Sequence, residues 1–158
     1  MDEPQRPKHP TGWRRLAFRL PITLYRLRLG GLLGHRFVLV HHTGRRSGLP
    51  RQVVVEVVRR DPDTGAVVVA SGFGPRSDWY QNLLATPEAA IELGWRHQDV
   101  HAEPLTPEQA GQTMVEYARR HPRAAASLAR FMGYKTDGSD RDYGDVGATL
   151  PMLRLTPR

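Results

Sequence analysis

The sequence contains no cysteine among its 158 residues, and this absence removes several kinds of chemistry. Without thiols the chain can form no disulfide, no zinc–thiolate centre and no cysteine nucleophile. No apolar run is long enough to span a membrane, and the first eight residues, MDEPQRPK, lack the apolar stretch of a signal peptide. We therefore expect a cytoplasmic protein whose main domain buries its core without covalent cross-links.

Lysine is nearly absent, at two of the 23 basic residues, and the positive charge is concentrated near the N-terminus. Residues 1–36 carry eight basic and two acidic side chains, whereas residues 37–158 carry fifteen and fourteen. A nucleic-acid-binding module would need a basic face on the folded body together with stacking aromatic groups. Because the body is nearly neutral, we expect no nucleic-acid partner.

Two segments precede the main domain. Residues 1–11 are interrupted by prolines and predict a disordered lead. Residues 12–34 predict an amphipathic helical segment, because apolar residues follow a helical stripe from Trp13 to Leu27 with arginines on the other side. Two roles stay open for this basic helix. It could bind an anionic surface on the inner face of the membrane through residues 13–29, or it could pack on the core.

Residues 35–158 predict a domain of hairpins with helices. We expect strands over 36–43, 52–60, 66–71, 89–95, 98–105 and 149–156, helices over 78–85, 107–120 and 123–132, and a surface loop over 135–147. Thr106 and Gln109 predict a capping box with Pro107 at the first helical position. Since strands are joined as hairpins rather than alternating with helices, the fold class is α+β with an antiparallel barrel or sheet and two C-terminal helices.

The most informative motif is the run TGRRSGLPR, which lies between two of the predicted strands. It places Arg45, Arg46 and Arg51 on a turn that contains Ser47 and Gly48. Guanidinium groups fork onto phosphate or carboxylate oxygens, and glycines let backbone N–H groups approach an anion closely. The motif therefore predicts an anion site, with a solvated basic hairpin as the alternative.

A second motif, ASGFGPRSDWYQN, predicts a strand end, a glycine-rich loop and a helix start. The helix should begin at Ser77 or Asp78, with Gln81 completing a reciprocal cap. A strand, a flexible loop and a helix N-terminus together form a corner that accepts an anion. The motif fails the dinucleotide fingerprint, which needs a third glycine at a fixed offset and a following βαβ unit.

Together, the two motifs resemble the deazaflavin-dependent nitroreductase family, whose members use the 8-hydroxy-5-deazaflavin coenzyme F420. The resemblance is carried by TGRRSG with the following Pro-Arg, and by Ala-Ser-Gly followed by WYQNL. It implies a split β-barrel of the flavin-binding type, with the coenzyme in a groove along the barrel. It also implies an oxidoreductase that transfers a hydride between F420 and a small conjugated acceptor, namely a quinone, an enone or a nitroaromatic.

The resemblance also implies roles for individual residues. Arg45, Arg46 and Arg51 would hold the phosphate and the acidic oligoglutamate tail, within the turn that contains Ser47 and Gly48. The residues that would border the phosphate and ring are Ser71, Gly72, Phe73, Gly74, Arg76, Trp79 and Asn82. Those that would form an apolar wall beneath the ring edge are Val53, Val54 and Val55. Tyr134 is the candidate proton donor, with packing against the barrel as the plainer alternative.

Other features limit what the resemblance specifies. The run Gln52-Val53-Val54 replaces a tyrosine that better-known members carry after the Pro-Arg element, so the acceptor is less defined than the coenzyme. An FMN-dependent split-barrel reductase and a non-catalytic carrier of the deazaflavin or a lipid are the alternatives.

His41 and His42 should point to opposite faces of one strand, so at most one of them lines a given pocket. No histidine cluster has metal-ligand spacing, and we expect no metal.

Overall fold

The structure of this protein, a computed structural model, describes residues 36–158. Its elements are β1 (Phe37–Thr43), β2 (Pro50–Arg60), β3 (Val67–Ala70), α1 (Asp78–Ala85), β4 (Glu88–Leu93), β5 (Arg96–Pro104), α2 (Pro107–Arg120), α3 (Pro122–Phe131), α4 (Asp140–Thr149) and β6 (Met152–Pro157). The predicted lead, 1–11, and the predicted amphipathic segment, 12–34, lie outside these residues, so contact with a membrane stays a prediction. Within 36–158, no helix is both long enough and apolar enough to cross a bilayer.

The six strands close into one antiparallel barrel in the order β1-β2-β3-β6-β5-β4. Hairpins supply the β1–β2, β2–β3 and β4–β5 pairs, and β6 enters between β3 and β5. Pairing of β1 with β4, in which Val40 lies opposite Ile91, closes the ring. The predicted α+β fold with an antiparallel barrel is therefore confirmed.

Alternation along the strands fills the barrel with aliphatic side chains. This interior cluster contains Val38, Val40, Val67, Val69, Ile91, Leu93, Val100, Ala102, Leu153 and Leu155. Tyr80 and Leu83 of α1 belong to the same cluster, so the helix is anchored in the barrel core. The anchoring fixes where the first turn of α1 lies relative to the end of β1.

The three C-terminal helices form a second core against the outer face of the barrel. Val58 of β2 and Val68 of β3 pack there with Met114 and Tyr117 of α2 and Val146 of α4. The predicted capping box at the start of α2 is present. The Thr106 hydroxyl accepts from the backbone N–H of Gln109 at 3.2 Å, and the Gln109 side chain accepts from the Thr106 N–H at 3.1 Å.

The expectation of a surface loop over 135–147 is wrong, because α4 occupies much of this segment. Its glycines and aspartates favour turns when they are considered locally. In the structure Ser139 caps the helix by accepting from the backbone N–H of Asp142 at 3.2 Å. There are consequently three C-terminal helices rather than two, and the last strand begins at Met152 rather than at residue 149.

The glycines of α4 serve its close approach to α2. A Cβ atom placed on Gly147 would lie 2.5 Å from the Met114 Cβ and 2.7 Å from the Ala110 carbonyl oxygen. Real Cβ contacts are longer than this, so only glycine fits at that position. The free-energy cost of glycine in a helix is therefore offset by tertiary packing, which a local reading of the sequence does not include.

This packing predicts opposite effects for two glycines of α4. Gly147→Ala should destabilise the fold by about 1–3 kcal/mol, because the added methyl group collides with the α2 backbone. Gly144→Ala is the matched control, since its Cβ would meet only Val115 Cγ2, at 3.7 Å. Because alanine has a higher helix propensity than glycine, Gly144→Ala should leave the free energy of unfolding unchanged or raise it by up to about 1 kcal/mol. Urea denaturation measures both, and equal stabilities would contradict the close packing.

Candidate functional site

A large groove runs along β2 on the outside of the barrel. Its volume is about 1480 Å³, above the roughly 300–1,000 Å³ of typical small-ligand pockets. Six consecutive β2 residues, 51–56, line it, which corresponds to roughly 17–20 Å of strand. The turn after β1, the loop after β3 and the start of α1 border the groove, and α3 forms its other wall. The shape suits an extended ligand better than a compact one.

The turn between β1 and β2 closes on itself. The Gly44 N–H donates to the Leu49 carbonyl at 2.9 Å, and the Gly48 N–H donates to the Gly44 carbonyl at 2.8 Å. Gly48 has a φ angle of 69°, in the left-handed region that glycine adopts without strain. A Cβ on Gly44 would lie 2.6 Å from the Ser47 hydroxyl. The backbone of the turn therefore favours glycine at position 48, and Gly44 leaves room for the Ser47 hydroxyl in its present position.

Arg45 is held by α1. Its guanidinium donates to the Asp78 carboxylate at 3.2 Å and to Asn82 Oδ1 at 2.9 Å. Its backbone N–H donates to the same Asn82 oxygen at 3.0 Å. Asn82 is buried, whereas Asp78 is exposed. The first arginine of the motif thus fastens the turn to the helix.

Arg46 and Arg51 make a different contribution. Both line the groove, and among residues 36–158 neither guanidinium has a carboxylate partner. Guanidinium groups in this state can each fork onto two oxygens of a phosphate or carboxylate. They define a cationic end of the groove beside the turn.

His42 is a buried, neutral member of the groove wall, with 7% of its surface exposed. The Asn82 amide nitrogen lies 3.2 Å from His42 Nδ1. Because the Asn82 oxygen already accepts from Arg45, the amide donates to Nδ1, and the ring proton is assigned to Nε2. Burial first, and then the charge of Arg51, lower the pKa of His42 to about 4, against an opposing effect of Asp78.

The loop after β3 is braced from within. The buried Ser71 hydroxyl lies 2.7 Å from the Gly74 carbonyl oxygen and 2.9 Å from the Ser77 hydroxyl. Gln81 Nε2 donates to the Pro75 carbonyl at 2.6 Å. The expected reciprocal cap between Gln81 and Asp78 is therefore wrong, and Ser77 is an N-cap without a side-chain capping bond. The loop is fixed by its own hydrogen bonds before any ligand binds.

Apolar side chains line the groove where this loop meets α3. The rings of Phe73 and Phe131 pack edge to face with centroids 5.3 Å apart. A Cβ on Gly72 would lie 3.5 Å from the Phe131 ring and 3.6 Å from Leu128 Cδ1, so the loop lies directly against the helix. Phe131 is 45% exposed although it is a large apolar residue. These residues offer a planar, conjugated ligand an apolar wall with one aromatic face and one aromatic edge.

The valines of β2 divide between the two sides of the strand. Val53, Val54 and Val55 all line the groove, and their role beneath the ring of a coenzyme stays a prediction. Val53 and Val55 also pack against the barrel interior. Alternation therefore places Val54 on the groove face, with Gln52 and Glu56 as its neighbours along the strand.

Most of the residues predicted from the sequence come together here. Those that line the groove are Arg45, Arg46, Ser47, Arg51, Val53, Val54, Val55, Gly72, Phe73, Trp79 and Asn82. Gly48, Ser71 and Gly74 shape the turn and the loop without lining the groove, and Arg76 is exposed outside it. Tyr134 is also outside the groove, and its hydroxyl lies 2.7 Å from Thr149 Oγ1. The geometry gives Tyr134 no access to a ligand in the groove.

Sequence reasoning missed the wall formed by α3. The additional groove residues are Arg36, His42, Gly44, Gln52, Glu56, Ala70, Ser77, Asp78, His121, Pro122, Arg123, Ala124, Ser127, Leu128 and Phe131. The spacing of Ala124, Leu128 and Phe131 follows one helical stripe, which was the available signal. The expectation that only one of His41 and His42 lines a pocket is confirmed, with His42 in the groove.

The barrel is a split β-barrel of the kind found in flavin- and deazaflavin-dependent proteins. It is similar to the structure of an F420-H2 dependent reductase, with a TM-score of 0.53 and 20% identity, covering 77% of this chain and 95% of that one. It is also similar to a pyridoxamine 5′-phosphate oxidase-related, FMN-binding protein of Nostoc punctiforme, with a TM-score of 0.54 and 16% identity, covering 94% and 82%. Because the sequence identities are this low, the two comparisons show a shared fold only.

The chain belongs to the F420H(2)-dependent quinone reductase family, whose model matches residues 18–138. It is 35% identical over 96 residues to the F420H(2)-dependent quinone reductase Rv1261c of Mycobacterium tuberculosis. A relative from Mycobacterium bovis shares the same identity. The matched region covers 56% of this chain and 63% of these relatives, which is less than two thirds of their length. The deazaflavin family indicated by the two motifs is confirmed.

The buried histidine predicts a pH-dependent stability. Because the pKa of His42 falls from 6.5 to about 4 on folding, the unfolded chain binds more protons between these values. The neutral, buried His42 therefore adds its full contribution to the free energy of unfolding above pH 6.5. This contribution is lost as the pH falls towards 4, and it amounts to roughly 2–4 kcal/mol at about 1.36 kcal/mol per pKa unit. Denaturation between pH 4.5 and 7.5 measures this loss. His42→Gln keeps an acceptor for Asn82 and should flatten the profile, whereas an unchanged slope would refute the assignment.

Proposed function

We propose that this protein is an F420H2-dependent reductase that reduces a quinone-class acceptor. The observation that carries the proposal is the groove. Arg46 and Arg51 lie at one end of it without a carboxylate partner among residues 36–158, and the rings of Phe73 and Phe131 line it where the loop after β3 meets α3. The family to which the chain belongs is named for the same coenzyme and acceptor class. The named relatives support the proposal over the region that they share with this chain.

The residues of the groove fit the coenzyme. Its tail carries a phosphate and repeated carboxylates, which need several forked cations rather than one. Arg46 and Arg51 would hold these groups, while Arg45 keeps the turn in place through α1. FMN ends in a single phosphate and would leave part of this cationic end unused. The length of the groove, roughly 17–20 Å along β2, also favours the longer coenzyme.

When bound, the reduced deazaflavin supplies the hydride. The chain's own part is to position the reactants. Val54 on β2 and the aromatic wall at Phe73 and Phe131 would hold the ring and the acceptor face to face and limit the access of water. His42, neutral and carrying its proton on Nε2, would offer a hydrogen-bond donor to a ligand in the groove.

The acceptor is inferred from the chemistry of the α3 wall. A quinone takes up a hydride and a proton to give a quinol, and its planar ring suits an apolar surface with aromatic edges. Enones and nitroaromatics share the planar, conjugated character and are the comparison substrates.

We propose that the protein acts in the cytoplasm, and finding it outside the cytoplasmic fraction of its cells would contradict this.

Coenzyme choice can be measured directly. Fluorescence titration of the full-length protein should show F420 binding at least 10-fold more tightly than FMN, and lowering the salt concentration should widen the difference because more charges are paired. Oxidation of F420H2 should then depend on added quinone. Tighter binding of FMN would overturn the choice of coenzyme. Tight F420 binding with no turnover of quinones, enones or nitroaromatics would indicate a carrier instead.

Replacing an arginine that lines the groove should weaken coenzyme binding more than replacing an arginine outside it. Arg46→Ala and Arg51→Ala should each weaken F420 binding by about 1–3 kcal/mol, the range for a lost charge-assisted hydrogen bond. Arg76→Ala is the matched control, because Arg76 is exposed and does not line the groove. It should change the affinity little, and all three variants should fold. Wild-type affinity in both groove variants would remove the basis for placing the tail at this turn.

A further inference from the structure

Three side chains that could bind a metal ion, His41, Glu92 and His97, lie together on the outer face of the barrel. They come from three adjacent strands, β1, β4 and β5. His41 Nε2 is 2.7 Å from Glu92 Oε1, and His97 Nδ1 is 3.9 Å from the same oxygen. One ligand atom from each of the three residues lies within 4.8 Å of the others. Strand pairing brings them together. Glu92 on β4 lies opposite His97 on β5, and it lies two residue pairs along from His41 on β1, so all three are on the same face of the sheet.

We propose that His41, Glu92 and His97 bind a divalent transition-metal ion, with zinc as the best match. Two imidazole nitrogens and one carboxylate oxygen are a zinc donor set that leaves a fourth position for water. With metal–ligand bonds of about 2.0–2.1 Å, a tetrahedral site needs ligand atoms about 3.3 Å apart. The two separations from Glu92 Oε1, 2.7 and 3.9 Å, lie on either side of this value, and the three ligand atoms lie within 4.8 Å of one another, so side-chain rotations would be needed to complete the site.

The barrel holds two of the ligands rigidly. Glu92 lies between Ile91 and Leu93, which are 1% and 9% exposed in the core, and His41 follows the fully buried Val40. Their Cα positions are therefore fixed by the barrel itself, as a preorganised site requires. The ligand side chains remain partly open, with 31% of His41, 32% of Glu92 and 62% of His97 exposed. An ion can therefore reach the site from solvent.

His41 also has an orienting partner. Its Nδ1 atom lies 3.2 Å from the Gln52 side-chain amide. With the amide turned over, which leaves its shape unchanged, the Gln52 oxygen accepts from Nδ1–H, and the Nε2 lone pair is free for the metal. A hydrogen bond to the second ring nitrogen is the usual support of a metal-binding histidine. The cluster thus offers both the ligands and the group that orients one of them.

A second histidine–carboxylate pair, His101 with Glu88, also joins β5 to β4. It has the geometry of an ion pair without a second imidazole, so it serves as a comparison. His101 Nδ1 lies 2.7 Å from Glu88 Oε1, as close as His41 lies to Glu92. That pair has one imidazole, and Arg158 occupies the other carboxylate oxygen at 2.8 Å. A cation already bound to Glu88 would repel a metal ion. His101 is therefore the matched control.

Zinc titration of the untagged, full-length protein tests the proposal. Calorimetry in a non-chelating buffer should show one saturable site. His97→Ala and His41→Ala should each weaken zinc binding at least 10-fold, since even outer partners of a metal site cost about 10–100-fold. His101→Ala should bind as the wild type does. Zinc should also shift the side-chain ¹⁵N signals of His41 and His97 and leave those of His101 unchanged.

Three results would overturn the assignment. They are the absence of saturable binding at one ion per chain, wild-type affinity in His97→Ala, and an equal loss in His101→Ala and His97→Ala. His97 is largely exposed, so its replacement should leave the fold intact. The His97 variant therefore decides the question even if His41→Ala fails to fold.

Discussion

The position of the candidate site depends on one buried amide, that of Asn82. Its oxygen accepts from the backbone and the guanidinium of Arg45, and its nitrogen donates to His42. These bonds join β1, the turn after it and α1, which is itself anchored in the barrel core through Tyr80 and Leu83. A buried amide that loses its partners costs free energy, so the turn cannot move away from the barrel independently.

This tether explains why the arginines of one motif have different roles. Arg45 is committed to Asp78 and Asn82, which leaves Arg46 and Arg51 to face the groove. The charge of Arg51 adds to burial in lowering the pKa of His42, so the ring stays neutral beside the cationic end. A neutral imidazole lines the groove without adding a further buried charge, whose desolvation would be costly.

The barrel and the position of the arginine-containing turn could be predicted because their signals are local. Alternating strands, hairpin turns and the Thr106 capping box each depend on residues within a few positions of one another. Helix α4 could not be predicted in this way, because Gly147 is explained only by the α2 backbone that it touches. The triad of His41, Glu92 and His97 likewise depends on strand order and register, which follow from closure of the whole ring. The wall at Phe131 depends on how α3 packs against the loop at Gly72.

One strand of the barrel, β2, also forms the floor of the groove. Residues 51–56 of β2 are hydrogen-bonded to β1 through the strand register, so a change in their spacing would disturb the barrel itself. The loop around Gly72 and helix α3 lie outside the ring of strands and contact the groove only through side chains and one loop. Under the proposed function, coenzyme recognition would therefore be tied to the fold, whereas the choice of acceptor could change with the residues of α3 and this loop while the barrel stays the same.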